Sequence, residues 1–219
     1  MTNLVTLAAR RGKIRGLCIA LSLAVGMGIL AESAAASAVD PQSNVRGFYD
    51  TLLTTMKDGR TLGQSGRYAR LAPVVDRLFD VPSMTRLAIG PSWATLSPAQ
   101  QQQLTDAFRH YIVATYADRF DSYSGQQLQV TGERPYSADV MVQTKIVKSD
   151  GETTTLNYLM RQNEGSWQIS DVYLDGTISQ LAVQRSEFHS ILRRDGIDGL
   201  VMALNRKVDL LGRGVAKAL

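Results

Sequence analysis

Residues 125–174, GQQLQVTGERPYSADVMVQTKIVKSDGETTTLNYLMRQNEGSWQISDVYL, decide the fold. From Gly125 onward the apolar pattern changes from a helical period to a twofold one. Gln127 to Thr131, Ala138 to Val147, Thr153 to Arg161 and Ser166 to Leu174 read as four strands. Ser149-Asp150-Gly151 and Asn163-Glu164-Gly165 supply turns between them, so the strands form an antiparallel meander. Ala138, Val140, Val142 and Ile146 share a face of the second strand, and Leu156, Tyr158 and Met160 a face of the third. The fourth strand breaks phase, with Trp167 and Ile169 on one face and Val172 and Leu174 on the other. A bulge near Ser170-Asp171 reconciles the two halves.

Helical patterns flank the meander. Asp40-Pro41 is a cap followed by proline at the first helical position, and Val45, Phe48, Tyr49, Leu52, Leu53 and Met56 then trace one face, ending near Gly59. After a Gly-rich turn around Gly63 and Gly66 a second helix is expected from Tyr68 to Phe79, with Pro73 marking its first turn or a kink. A short third one follows Asp80-Val81-Pro82, with Met84, Leu87 and Ala88 inward and Gly90 as its C-terminal cap. Ser97-Pro98-Ala99-Gln100 is a capping box that opens the longest helix, to about Phe120, with Leu104, Ala107, Phe108, Tyr111, Ile112 and Thr115 on its apolar stripe. Two helices close the chain, Ile178 to Arg194, stopped by Gly196, and Asp198 to about Leu211. Helices, then a meander, then helices give an α+β fold: a four-stranded antiparallel sheet packed with N- and C-terminal helices.

The first forty residues are of another kind. Arg10, Arg11, Lys13 and Arg15 precede an apolar run from Leu17 to Leu30, and Ala34-Ala35-Ala36-Ser37-Ala38 has the small residues that signal peptidase reads. The run is shorter than the roughly 20 residues of a membrane-spanning helix. Residues 1–38 are therefore expected to be a cleaved signal peptide, with Ala36 as the alternative cleavage position, and 39–219 a single exported domain. The whole chain carries 24 Lys+Arg, 20 Asp+Glu and one cysteine. Removal of the leader takes four basic residues, one acidic residue and Cys18 with it, leaving a near-neutral, thiol-free protein. Such a chain offers no basic face for nucleic acid and no disulfide framework.

Catalytic and metal chemistry find little support. Two histidines, His110 and His189, are far apart, and no nucleophile elbow, phosphate loop, dinucleotide fingerprint or calcium loop is present. His110 reads as a surface residue near Asp106, and Asp80 as a helix cap. No cofactor and no metal are expected. The apolar stripes of the long helix and the sheet fit either a filled core or a cavity, since both draw on the same residue types.

Several strings point further: Phe79-Asp80, Gly90-Pro91-Ser92-Trp93, Leu96-Ser97-Pro98-Ala99-Gln100, Tyr123-Ser124-Gly125 and Ser166-Trp167-Gln168-Ile169-Ser170-Asp171-Val172, with Gly176, Ser179, Arg185 and Phe188. In this order they resemble the MlaC family, also called toluene-tolerance proteins. The wording of Gly66-Arg67-Tyr68 to Asp76, Tyr116 to Gly125 and Asp171 to Leu181 is most similar to the hopanoid-biosynthesis-associated branch, HpnM. The resemblance implies a periplasmic lipid carrier whose sheet and helices enclose an apolar pocket for lipid tails and leave the headgroup in solvent. It also implies docking to an inner-membrane lipid transporter and an outer-membrane donor or acceptor complex. The cargo that the resemblance implies is a phospholipid or a hopanoid, and the carrier is expected to be a monomer.

By position, the sheet wall of such a pocket is expected from Leu128, Val130, Val140, Val142, Leu156, Tyr158 and Met160. The helical wall is expected from Met84, Leu87, Phe108, Tyr111, Ile112 and Tyr116. Trp93, Gly90 and Trp167 read as packing anchors and a cap. Two rivals stand beside the carrier: a pocketed enzyme acting on a polycyclic lipid, for which Asp171 is the strand carboxylate to nominate, and a filled-core adaptor of an envelope transport complex.

Overall fold

The computed structural model describes residues 40–213; the expected signal peptide lies outside the described residues. Asp40 accepts a hydrogen bond from the Ser43 N–H at 2.9 Å and opens α1 (Pro41–Lys57), whose buried face is Val45, Phe48, Tyr49, Leu52 and Met56. α2 (Gly59–Leu78) begins earlier than expected. Of the residues read as a glycine-rich turn, only Gly63 leaves the helical region, at φ 60°, and Gly66 and Pro73 are carried inside the helix. Arg67 holds this segment in place: its buried guanidinium donates to the carbonyls of Ala117 at 2.7 Å and Gly59 at 2.8 Å.

Asp80 caps α3 (Val81–Ile89), and Gly90, at φ 70° and ψ −144°, ends it in a conformation essentially confined to glycine, costing other residues about 1–3 kcal/mol. A single 3₁₀ stretch, Gly90–Thr95, leads to the expected capping box of Ser97 and Gln100, which starts α4 (Pro98–Arg119).

The sheet comprises β1 (Gln127–Tyr136), β2 (Asp139–Val147), β3 (Thr153–Asn163), β4 (Ser166–Leu174) and β5 (Ile178–Ser179), paired in sequence order and antiparallel throughout. It has five strands where four were expected, because Ile178–Ser179 adds a two-residue edge to β4 before Ser179 caps the next helix. β1 also runs five residues beyond Thr131. Gly132 and Pro135 argue against a strand, yet β1 is the sheet edge, where proline has no ladder bond to lose, and a register shift between Val130 and Gly132 absorbs the irregularity.

The bulge in β4 is where the phase break placed it. Asp171 faces Leu159 and Ile169 faces Met160, leaving Ser170 as the extra residue. The insertion brings Ile169, Val172 and Leu174 opposite Met160, Tyr158 and Leu156, all on the inner face. α5 (Gln180–Gly212) closes the chain as two helical segments joined at Gly196, φ 69°, the residue read as a stop.

Candidate lipid-binding site

The inner face of the sheet is divided. At one end α1 lies against it, and its aromatic residues fill the space: the Phe48 and Tyr49 rings meet Tyr158 edge-on at centroid distances of 6.2 and 5.9 Å, and Phe48 also meets Phe79 and Tyr116. Val142, Tyr158 and Met160 are fully buried there. At the other end the helices stand away from the strands, and a cavity of about 500 Å³ opens between α4, the start of α5 and strands β2 to β4. Filled core and cavity are thus both present, side by side on one sheet.

The cavity wall is mostly apolar. Phe108, Tyr111, Ile112, Tyr116 and Phe120 contribute from α4 and its cap, Met84 from α3, and Ile146, Leu156, Val172 and Leu174 from the sheet. The strand residues are adjacent by register, since Leu156 faces Leu174, and Ile146 faces Thr154, which also lines the space. Polar groups gather at Thr115, Arg119, Gln126, Lys148, Gln180 and Gln184. Lys148 is paired with Glu152 at 2.6 Å, whereas the buried Gln184 Oε1 has no hydrogen-bond partner.

Of the residues expected from position, Met84, Phe108, Tyr111, Ile112, Tyr116 and Leu156 line this cavity. The others fall elsewhere. Val142, Tyr158 and Met160 lie on the expected face of the sheet but under α1, whose stripe was legible while its docking place was not. Leu128 and Val130 face Ile146 and Thr144 across β1 and β2 and pack against the core beside the cavity, and Val140 is half-buried beside Met160. Leu87 is 39% exposed. In α3 the inward residues are Val81, Met84, Thr85, Ala88 and Ile89; Leu87, three positions after Met84, has rotated past the edge of that face. Ile146, Val172 and Leu174 were missed. The sequence marks Val172 and Leu174 as the phase-shifted half of β4, and the bulge at Ser170 turns them inward.

Asp171 also lines the cavity, but its carboxylate is engaged. Oδ2 accepts from the Ser179 hydroxyl at 2.5 Å, and Oδ1 from the backbone N–H groups of Leu181 at 3.0 Å and Val172 at 2.7 Å. Burial raises its pKa above the ordinary carboxylate value, against the lowering effect of those three donors. The carboxylate ties the bulge of β4 to the first turn of α5, a fixed structural post at the cavity edge. Arg185 forms no ion pair with it. His110 is exposed beside Tyr68, and Arg109, its neighbour, forms a two-pronged pair with Asp76 at 2.5 and 2.6 Å.

Burial also raises the tyrosine hydroxyls beneath α1. Tyr49 is pushed up to about 12, while Tyr116 and Tyr158 are raised as well. These groups remain neutral phenols at any physiological pH. Of the three, Tyr116 lines the cavity, and it presents ring surface there rather than charge.

The profile of the MlaC protein family matches residues 46–206. The chain belongs to the MlaC family. A solved structure of a phospholipid-binding protein from Ralstonia solanacearum, in complex with a phospholipid, is 26% identical, superposes with a TM-score of 0.66, and matches over 78% of this chain and 98% of its own length. The MlaC segment begins inside α1 and ends inside the last segment of α5, so it includes every element that borders the cavity. Among the described residues of this MlaC protein, no helix is long and apolar enough to cross a membrane.

Proposed function

We propose that this MlaC protein is a periplasmic carrier that takes the tails of a phospholipid into the cavity between α4, α5 and the sheet, after export by the leader at residues 1–38. The observation that carries this reading is the apolar cavity of about 500 Å³ set beside a fully packed core on the same sheet. The phospholipid complex of the Ralstonia relative supports it. A methylene group occupies about as much space as a water molecule's roughly 30 Å³ share of the liquid, so the cavity encloses on the order of 16 such groups. At about 0.8 kcal/mol per buried methylene, hiding a tail of that size from water is worth on the order of 10 kcal/mol before the costs of ordering.

A carrier of this kind needs no reacting group, and the Asp171 carboxylate at the cavity is occupied by three donors. Passage between an inner-membrane transporter and an outer-membrane complex is part of the same proposal, as is a monomeric carrier. A hopanoid is the alternative cargo, supported by the resemblance of Tyr116 to Gly125 and Asp171 to Leu181 to the hopanoid-associated branch. The test is Leu174→Glu, which places a charge in the cavity wall at a half-buried site away from the packed end of the sheet. The variant is expected to keep its circular dichroism spectrum and lose bound lipid. A folded variant carrying lipid at the wild-type level would overturn the proposed binding place.

A further inference from the structure

The apolar cavity has a closed side and an open one. Phe108 of α4 and Phe188 of α5 meet edge-on, 5.3 Å between ring centres, and close it on one side. On the other the wall turns polar, at the exposed Arg119 and Lys148 and the half-buried Gln126 and Gln180. Gln126 and Lys148 flank the paired residues Gln127 and Val147 at the end of the sheet, and Gln180 follows Ile178, which pairs with Leu174. Gln184 stands between the two sides. It is four residues after Gln180 and four before Phe188, on one face of α5, and so lies about 6 Å in from the polar rim along the helix.

The Gln184 Oε1 atom is enclosed and has no donor. Its polar neighbours on α5 and β4 are already committed: the Gln180 amide donates to the Ile178 carbonyl at 3.2 Å, and Asp171 accepts from Ser179, Leu181 and Val172. An enclosed acceptor without a donor is unfavourable, and a cargo that brings a donor to it is held more tightly for doing so. Below its headgroup a diacyl phospholipid has only ester oxygens and hydrocarbon, which accept or are apolar. Loss of one acyl chain frees a glycerol hydroxyl, a donor, at the level where the remaining tail begins. The size of the cavity points the same way: about 500 Å³ takes on the order of 16 methylene groups, one tail of ordinary length where a diacyl lipid brings two.

We propose that the cavity selects a monoacyl phospholipid, whose single tail fills it and whose free glycerol hydroxyl donates to Gln184 Oε1. The phosphate-bearing headgroup stays outside the polar rim, in solvent. This rests on the carrier reading and deepens it by naming the class of phospholipid carried. Gln184 is then a specificity-determining residue, reading a hydroxyl that diacyl lipids lack.

The test titrates occupancy by native mass spectrometry, on protein expressed from its full-length gene and delipidated. Three lipids share palmitoyl tails and a phosphocholine headgroup, which has no hydrogen-bond donor: palmitoyl lysophosphatidylcholine, the analogue lacking only its glycerol hydroxyl, and dipalmitoyl phosphatidylcholine. The wild-type protein is expected to hold the lysolipid about threefold to tenfold more tightly than the analogue, the worth of one neutral hydrogen bond, and more tightly than the diacyl lipid. Gln184→Leu is expected to remove the difference between the two monoacyl lipids. Gln184→Met, with a straight side chain of similar length, repeats the measurement if the leucine variant folds poorly. Equal binding of the two monoacyl lipids by the wild type, as a water held on Gln184 would give, would overturn the proposal. So would a preference that survives in the variants, or a diacyl lipid held as tightly as the lysolipid. All three of these results leave the tail cavity standing, whereas failure of the wild-type protein to hold any of the lipids would overturn the carrier reading itself.

Discussion

Tyr158→Phe isolates a single atom at the boundary between packed core and cavity. The Tyr158 ring is fully buried among Phe48, Tyr49 and the inner face of the sheet, and its hydroxyl lies near those of Tyr49 and Tyr116 but meets neither in hydrogen-bond geometry. Tyr49, beside it, is differently placed: its hydroxyl lies 2.5 Å from the Thr144 hydroxyl, which in turn donates to the Leu156 carbonyl. An unsatisfied buried polar group costs about 1–3 kcal/mol, whereas a satisfied hydrogen bond contributes about 0.5–1.5 kcal/mol. Removing the Tyr158 hydroxyl is therefore expected to stabilise the protein by about 1 kcal/mol or more, and removing that of Tyr49 to destabilise it by about 1 kcal/mol. For a domain of this size each kcal/mol corresponds to about 2–4 °C in Tm. Thermal unfolding of delipidated Tyr158→Phe and Tyr49→Phe, followed by circular dichroism, should thus show shifts of opposite sign. A Tyr158→Phe variant that loses as much stability as Tyr49→Phe would refute the reasoning, since it would mean that the hydroxyl is satisfied.

Gly59→Ala should destabilise the fold by about 2 kcal/mol or more, because a Cβ there would sit 1.8 Å from the Asp121 carbonyl oxygen; chemical denaturation measures it, and wild-type stability would contradict the close approach. Leu71→Ala, at a fully buried core position, should cost about 2–5 kcal/mol in the same assay while leaving the lipid cavity intact, and a loss below 1 kcal/mol would contradict tight packing under α2. The pH dependence follows from Tyr49: its folded pKa is raised by burial to about 12, above the unfolded value near 10, so the folded state retains its proton longer. Its contribution is intact below about pH 10 and is lost as pH rises toward 12, and stability that holds level across this window would count against the burial.

Much of the architecture was legible because it rests on local rules. Asp40, Asp80 and Ser97 announce their helices by capping chemistry, and the phase break between Ile169 and Val172 located the bulge at Ser170. Where the reading fell short, tertiary packing decided. Gly66 and Pro73 read as interruptions, yet Arg67 ties that segment to α4 and the helix passes through them. Periodicity identified the inner face of each strand but could not say which part of that face α1 would cover. Val142, Tyr158 and Met160 and the cavity-lining Leu156 carry the same alternation signal, and only the docking of Phe48 and Tyr49 separates them.

The central claim is that a lipid occupies the space between α4, α5 and the sheet. Protein purified from its native envelope without detergent, extracted with organic solvent and analysed by mass spectrometry, addresses it directly. One phospholipid per protein chain is the expected result; a stoichiometric hopanoid would keep the carrier and change its cargo, and protein that comes out of its own envelope with no lipid bound would contradict the account.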